Sequence, residues 1–397
     1  MQPVVLTAYT ATTCLGPGIT TMTAALRDAR GGLKPCEFET VDLKTYVGQI
    51  DTLEAEVIPT YLREYECRNN RLAHLALRQD GFEEAVKSAT GRVGAKRMGL
   101  FLGTSTSGIL ETEIAFRQRD TATGALPAAF NYRGSHSAFS VASFVRALLH
   151  IDGPAAVIST ACSSGAKTFA AAQRMIAAGV IDAALVGGVD SLCLTTLYGF
   201  HSLQLTAAGP CRPFSADRDG ISIGEGAGFA LLERVDGRAS SHNIALLGAG
   251  ESSDAFHLSS PHPDGLGARL AMQAAINSAG LQPGDIEYVN LHGTATPNND
   301  QAESRAVLSL CGAQVPCSST KGAMGHTLGA AGAVEAVVCA IALSAGIMPA
   351  GINTPIPDPT LGVNYLTATR HAKLSRVMSN SFGFGGSNCS LVFGRLA

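Results

Sequence analysis

Charge is scarce in this chain. Only 15% of the 397 residues are Asp, Glu, Lys or Arg, against 46% hydrophobic, and the net charge is -3. A composition so apolar excludes a disordered chain, and the acidic balance gives no reason to expect nucleic acid as a general partner. The ten cysteines (Cys14, Cys36, Cys67, Cys162, Cys193, Cys211, Cys311, Cys317, Cys339 and Cys389) contain no CxxC pair. Structural zinc spacing is therefore absent, and a disulfide scaffold does not suit so long a chain; a reducing compartment is expected. The first residues, "MQPVVLTAYTATTCLG", lack the cationic start of a signal peptide and alternate like a strand. The most apolar run, Ala336 to Ile352, falls short of the roughly 20 residues of a membrane span and contains Gly and Pro. It reads as a core helix entering a turn, so a cytoplasmic protein with no membrane contact is expected. No HExxH and no GxSxG occurs. "SGAKT" has Ala161 and Ala166 where a phosphate-binding loop needs glycine, and "SADRDGISIGEG" has Ser215 and Gly226 where a calcium loop needs carboxylates.

What is present is alternation. Strand-like runs ("VVLTAY", "RMGLFLG", "AAVIST", "AALVGGV", "GFALLERV", "IALLGAG", "YVNLHG", "VPCSS", "RVMSNSF", "SLVFG") are separated by helical ones such as "ASFVRALLHI", "LGARLAMQAAINSAG" and "QAESRAVLSLC". That order predicts an α/β fold with parallel or mixed sheets covered on both faces. "AAVISTACSSGAKTFAAAQRMIAAG" is echoed by "VPCSSTKGAMGHTLGAAGAVEAVVCAIALSAG", each followed by two apolar strands. The echo predicts two similar halves, 1–240 and 241–397, with a junction in Leu232–Leu247.

Four stretches carry candidate chemistry. In "STACSSGAKTFAAA" a strand-to-helix turn places Cys162 at a helix entrance, where the dipole and free N–H groups favour thiolate. A lone cysteine is ordinarily a small core residue, but here Ala161, Ser163, Ser164 and Gly165 leave room for an acyl group, so Cys162 is the candidate nucleophile. In "VNLHGTATPNNDQAE" His292 ends a strand beside the hydroxyls of Thr294 and Thr296, while Asp300 and Glu303 read as helix N-terminal charges. In "SSTKGAMGHTLGAAGAVEA" Lys321 and His326 lie in a glycine-rich loop, and Glu335 on the apolar helix needs a cationic partner, for which Lys321 is the candidate. In "SNSFGFGGSNCSL" Phe382 and Phe384 sit in a turn between strands, suggesting an apolar gate.

Together these motifs resemble the β-ketoacyl-ACP synthases of the thiolase superfamily, closest to the elongating type I/II group, over nearly the whole chain. The resemblance implies a five-layered α-β-α-β-α fold of two duplicated halves, usually dimeric. It implies that Cys162 takes an acyl group from acyl carrier protein as a thioester. His292 and His326, as neutral N–H donors, then hold malonyl-ACP during decarboxylation, and the carbanion attacks the thioester to give 3-oxoacyl-ACP. The N–H groups of Cys162 and Phe384 match the oxyanion hole. Lys321, with Glu335 and Asp300, matches the electrostatic support; Thr294 and Thr296 match the pantetheine contacts, and Phe384 the gate. No metal or dissociable cofactor is implied, since the carrier brings its own phosphopantetheine. Arg212 matches a carrier-docking position, with Arg63, Arg68 and Arg71 as companions for an acidic carrier. A second subunit is expected, identical or like a chain-length factor.

Two departures concern the substrate. Asn299 replaces the glycine usual before the aspartate, and "GTSTSG" (Gly103 to Gly108) replaces a more glycine-rich loop near the acyl pocket. They leave acyl length and pathway open between fatty acid and polyketide or aryl polyene synthesis. Alternative readings are a thiolase acting on CoA esters, a non-catalytic chain-length factor and a cysteine hydrolase. The synthase reading needs the Cys162 sulfur within about 8 Å of both imidazoles to share one reacting centre.

Overall fold

The computed structural model describes residues 2–235 and 243–396. The anticipated boundary at 240/241 lies outside the described residues. Ten principal strands build the chain. The first five are β1 (Val4–Thr13), β2 (Met98–Gly103), β3 (Ala155–Ile158), β4 (Ala183–Asp190) and β5 (Gly226–Arg234). The second five are β6 (Ile244–Ser253), β7 (Tyr288–Asn290), β8 (Pro316–Ser318), β9 (Arg376–Gly383) and β10 (Ser387–Arg395). The first five lie in the order β3-β2-β4-β5-β1, with β2 parallel to β3 and β4, then β4–β5 and β5–β1 antiparallel. The second five lie in the order β8-β7-β9-β10-β6 with the same senses at every step. Identical order and sense in both sets is the duplication that the sequence echo suggests. A short antiparallel contact between β1 and β6, Val4 opposite Leu246, makes the two sheets continuous.

Seven of the helices that cover these sheets position the site: α1 (Arg68–Leu77), α2 (Phe82–Val93), α3 (Ser140–Leu149), α4 (Ser164–Ala177), α5 (Leu266–Ala279), α6 (Pro297–Cys311) and α7 (Ala331–Ala345). Helices α1 to α3 pack on the outer face of the first sheet, where Leu72, Val86 and Phe144 meet Leu100, Leu185 and Phe229. Helices α5 and α6 cover the outer face of the second, Ile276 and Val307 meeting Val289, Met378 and Val392. Between the inner faces lie α4 and α7, with Phe169 and Ala336 against Val186, Leu391 and Phe393. This is the five-layered α-β-α-β-α arrangement. Because β2 and β4 are covered on both sides, they read as unbroken apolar runs rather than alternating ones.

The centre of the stack explains α7. It is buried at every position from Ala331 to Leu343, so it carries apolar residues all round. The stretch Leu328–Ala345 is long and apolar enough to cross a bilayer, yet 89% of it is enclosed by the fold. The apolar pattern does not reveal the amphipathic helices α1 and α2, whose polar faces dilute the signal. Helix α4 crosses α7 with the backbones almost touching. A β-carbon on Gly165 would stand 2.7 Å from Ala333 N, and one on Gly332 would stand 2.6 Å from Ala166 N.

That crossing yields a test. Gly332→Ala must push the helices apart, and its cost in chemical denaturation is expected at about 1–3 kcal/mol. Gly91→Ala, in α2 with open space around it, should instead raise stability by roughly 0.5–1 kcal/mol. Equal behaviour of the two variants would show that the crossing is not tight.

Candidate active site

Residue Cys162 stands in the turn between β3 and α4, two residues before the helix begins, and is 5% exposed. The turn is tight: Ala161 adopts a left-handed φ of 52°. Ser164 Oγ donates to Ala161 O at 2.5 Å and accepts Thr160 N–H at 2.8 Å, while Ser163 Oγ donates to Thr160 O at 2.9 Å. The small residues around Cys162 therefore serve the turn and the α4–α7 crossing, rather than leaving acyl space as the sequence suggests.

Both imidazoles reach the sulfur from the second half. His326 follows the helical turn Lys321–Met324, and the first half clamps its backbone. His326 N–H donates to Ser222 O at 2.8 Å, and Gly224 N–H donates to His326 O at 2.9 Å. Its Nε2 lies 3.0 Å from Cys162 Sγ. His292 follows β7, its ring 83° to that of His326 with centroids 5.3 Å apart. The sulfur and one nitrogen of each ring all fall within 4.8 Å of one another. A single reacting atom can touch all three.

Residue Glu303, read from sequence as a helix charge, has a different part. It is fully buried on α6 and accepts the N–H groups of His292 at 2.8 Å and Gly293 at 2.7 Å, with Asn380 Nδ2 at 3.1 Å. It fixes the segment that aims His292, and burial, against those hydrogen bonds, pushes its carboxyl up to about 7. Asp300, also buried, accepts Phe214 N–H at 2.8 Å and lies 3.8 Å from Arg218, and burial raises it to about 6.

Charge at the centre comes from Lys321. Its buried Nζ contacts Glu335 Oε1 and lies 3.4 Å from His292 Nδ1. As an ammonium it can only donate, so His292 Nδ1 must be the acceptor and the ring proton sits on Nε2. His326 Nδ1 has no partner among the described residues, so its tautomer is not locked. Burial, then Lys321, holds both imidazoles well below the usual histidine range, with His326 adding to the effect on His292. Glu335 is pushed up to about 7 by burial, against the pull of Lys321.

The thiol departs from the sequence expectation. Burial pushes Cys162 up to about 11, although Lys321 and the backbone N–H of Phe384, which points at the sulfur, both pull it down. Desolvation outweighs the helix entrance, so the resting group is a thiol, and the nearby imidazole must take its proton.

A cavity of about 340 Å³ opens onto the sulfur, lined by Cys162, His292, His326, Thr294, Thr296 and Phe382 among others. The hydroxyls of Thr294 and Thr296 are 2.9 Å apart on its wall. Phe382 sets its edge against His292 at 5.9 Å, and Phe384 rests on Phe200 at 5.6 Å. Asn299 also lines the cavity, its Nδ2 donating to Asp300 at 3.1 Å. None of Gly103–Gly108 does so. That loop is tied instead to Asp190, which accepts from Thr104, Ser105 and Thr106 and, across the halves, from Gly329 N–H at 2.6 Å. Sequence reasoning missed Asp190, although a lone acid closing the apolar run "AALVGGVD" was a readable signal.

Three of the four arginines stand away from free docking positions. Arg68 is a correction: its side chain is 3% exposed and serves the buried Glu225 at 2.7 Å, a partner that an uncompensated internal carboxylate requires. Arg71 pairs with Glu66 at 2.6 Å, and Arg212, 31% exposed, with Asp217 and Asp219. Arg63 is exposed.

The family model described as beta-ketoacyl synthase, N-terminal domain, matches residues 1–237, and that of the C-terminal domain matches 244–355. A mitochondrial 3-oxoacyl-[acyl-carrier-protein] synthase of Arabidopsis thaliana is 40% identical over 61% of this chain and 56% of its own length. Two bacterial 3-oxoacyl-[acyl-carrier-protein] synthases, from Rhizobium meliloti and Vibrio cholerae, align over 61% and 63% of theirs. The chain thus matches less than two thirds of each of these relatives. Nodulation protein E of Rhizobium meliloti is 34% identical over 81% of this chain and 80% of its own. Among solved structures, a ketosynthase in complex with its chain length factor from Xenorhabdus doucetiae superposes with TM-score 0.89 at 37% identity, covering 100% of this chain and 98% of that one.

The buried thiol sets an expected pH profile for alkylation. With the group held near 11, iodoacetamide should react with Cys162 at a rate still climbing through pH 9 to 10, not levelling at the pH of an ordinary cysteine. Removing the Lys321 charge in Lys321→Met pushes the thiol further up, so alkylation at pH 8 should slow. A plateau below pH 8 would show a resting thiolate.

Proposed function

The chain belongs to the β-ketoacyl synthase family, and from that premise we propose that it is a 3-oxoacyl-[acyl-carrier-protein] synthase. It would join an enzyme-bound acyl thioester to malonyl-ACP with loss of CO2. The observation that carries this reading is the meeting of one thiol and two neutral imidazoles at a single point, with Cys162 Sγ 3.0 Å from His326 Nε2.

In the first half-reaction the carrier-bound acyl carbon is attacked by sulfur. The thiol proton passes to His326 Nε2 and on to the departing thiolate of the carrier arm, while the N–H groups of Cys162 and Phe384 receive the oxyanion. In the second, no S–H remains. The locked tautomer of His292 presents Nε2–H, and His326, free to carry its proton on Nε2, presents the other. Both donate to the malonyl thioester oxygen as CO2 leaves and enolate charge develops. The enolate carbon then attacks the carbonyl carbon of the Cys162 thioester, the carbon–sulfur bond breaks to give 3-oxoacyl-ACP, and the released Cys162 sulfur takes a proton from solvent. A general base is not needed, because decarboxylation itself supplies the carbanion. Low imidazole basicity suits this: a charged ring would protonate the enolate. Thr294 and Thr296 are placed to meet the pantetheine arm, and the reaction uses no metal or dissociable cofactor.

The partner is an acyl carrier protein, with a second subunit completing the enzyme. That the Xenorhabdus doucetiae relative was solved with a chain length factor supports a heterodimer; a homodimer is the other arrangement. This chain itself is not a bare chain-length factor, since the nucleophile and both histidines are present. The thiolase reading is weakened by Cys389, which lies buried in β10 opposite Ser381, while Phe382 and Phe384 occupy the C-terminal turn.

Acyl-ACPs of varied length incubated with malonyl-ACP should give 3-oxoacyl-ACP by mass spectrometry. Cys162→Ala should abolish elongation, and Cys162→Gln should retain malonyl decarboxylation. His292→Ala and His326→Ala should each lose about 3 kcal/mol, roughly a hundredfold in rate. Undiminished product from the Cys162→Ala chain would remove the mechanism. Arg63→Glu should raise KM for malonyl-ACP with kcat nearly unchanged, the pattern of lost docking rather than lost chemistry.

A further inference from the structure

We propose that Cys162, His292 and His326 also form a binding site for a soft divalent cation, zinc above all, whose occupation shuts the reacting centre. The inhibition rests on the function proposed above; the binding rests on geometry alone. Among the described residues this is the one group of three or more His, Cys, Asp or Glu side chains whose ligand atoms converge, all within 4.8 Å. Zinc bonds of about 2.3 Å to sulfur and 2.0–2.1 Å to nitrogen put tetrahedral donors roughly 3.3–3.6 Å apart. The Cys162–His326 pair, at 3.0 Å, opens slightly and the wider separation closes by about 1 Å, changes within side-chain rotation.

Chemical character points the same way. One thiol and two imidazoles form a borderline-soft set that suits zinc or cobalt and not magnesium or calcium. The Lys321 ammonium, paired with Glu335, faces the site from His292, and the proton it yields to His292 Nδ1 on binding removes its charge from beside the metal. Asp254, on the wall of the same cavity, adds a carboxylate. The cavity gives entry and leaves the fourth position to water. Binding replaces S–H by a sulfur–zinc bond, and because His292 Nε2 carries the ring proton at rest, it gives that proton up while Nδ1 takes one from Lys321, so two protons leave for solvent with no change of oxidation state.

The three ligands are separated by 130 and 34 positions, so no spacing rule reveals them. The arrangement differs from a structural zinc site in being open and in using the residues of the reaction. Zinc and acyl thioester are then mutually exclusive on the same sulfur.

The test uses the full chain after chelator treatment. Cobalt(II) should produce a thiolate-to-metal charge-transfer band in the near ultraviolet, absent from Cys162→Ala and weakened in His292→Ala. On the unaltered chain, free zinc at nine times its Kd leaves about a tenth of the sites empty, so alkylation of Cys162 should slow about tenfold by mass action. Magnesium should have no effect. A band that survives in Cys162→Ala, or alkylation at full speed at every zinc concentration, overturns the site. Both readings are independent of turnover, so a chain that protects its thiol but makes no 3-oxoacyl product retains the metal site and loses the proposed function. An active chain whose condensation is indifferent to zinc overturns the inhibition.

Discussion

Everything at the reacting centre depends on two helices touching through their backbones. Helix α4 begins just after Cys162, and α7 begins just after His326 and carries Glu335 in its second turn. With Gly165 and Gly332 at the crossing, the entrance of one helix faces that of the other without a side chain between them. A single methyl group there would separate the sulfur from the imidazole by a sizeable part of their 3.0 Å contact. Packing in the core and geometry at the site are one constraint, and this is why the two helices enclosed between the sheets are also the ones that deliver chemistry.

The second constraint is electrostatic. A lysine, two carboxylates and two histidines are enclosed where charge is costly, and a buried ion pair seldom repays its own desolvation. Lys321 and Glu335 make sense as a device rather than as a stabiliser. The ammonium fixes the His292 tautomer from one side, while Glu303 holds the His292 backbone from the other. His326 receives no such lock and keeps both proton positions open. Two histidines that look alike in sequence are thereby given unequal work.

Much of this was legible in the sequence, and the limits have physical causes. The ten strands and the paired helix echoes could be read because strands covered on both faces and the central helix α7 are apolar throughout, so composition marks them. Cys162, His292, Lys321, His326 and Glu335 stood out because glycine and small residues cluster wherever backbone must turn sharply. Arg68 and Glu303 were misread for the opposite reason. Each is a charged residue whose role depends on a partner far away in the chain, Glu225 for the first and His292 N–H for the second. Charge near a helix start is usually solvated, and no local pattern announces the exception. The thiol was misjudged similarly: the helix entrance is local, whereas the burial that outweighs it belongs to the whole stack.

Backbone strain also marks the site. Ala161, Ala295 and Leu328 all adopt left-handed backbone conformations, with φ of 52°, 66° and 52°, although none is glycine. Each lies within three residues of Cys162, His292 or His326, at a conformation that costs an ordinary residue roughly 1–2 kcal/mol. Such residues persist only where surroundings over-determine them, and each has its restraint. Ser164 Oγ holds the Ala161 carbonyl, Glu303 holds the segment before Ala295, and Asp190 holds Gly329 beside Leu328. The restraint on Leu328 comes from the other half of the chain. Duplication therefore supplied the two sheets, but the site required something the halves do not share: turns bent against preference and pinned by hydrogen bonds, one of them reaching across the molecule.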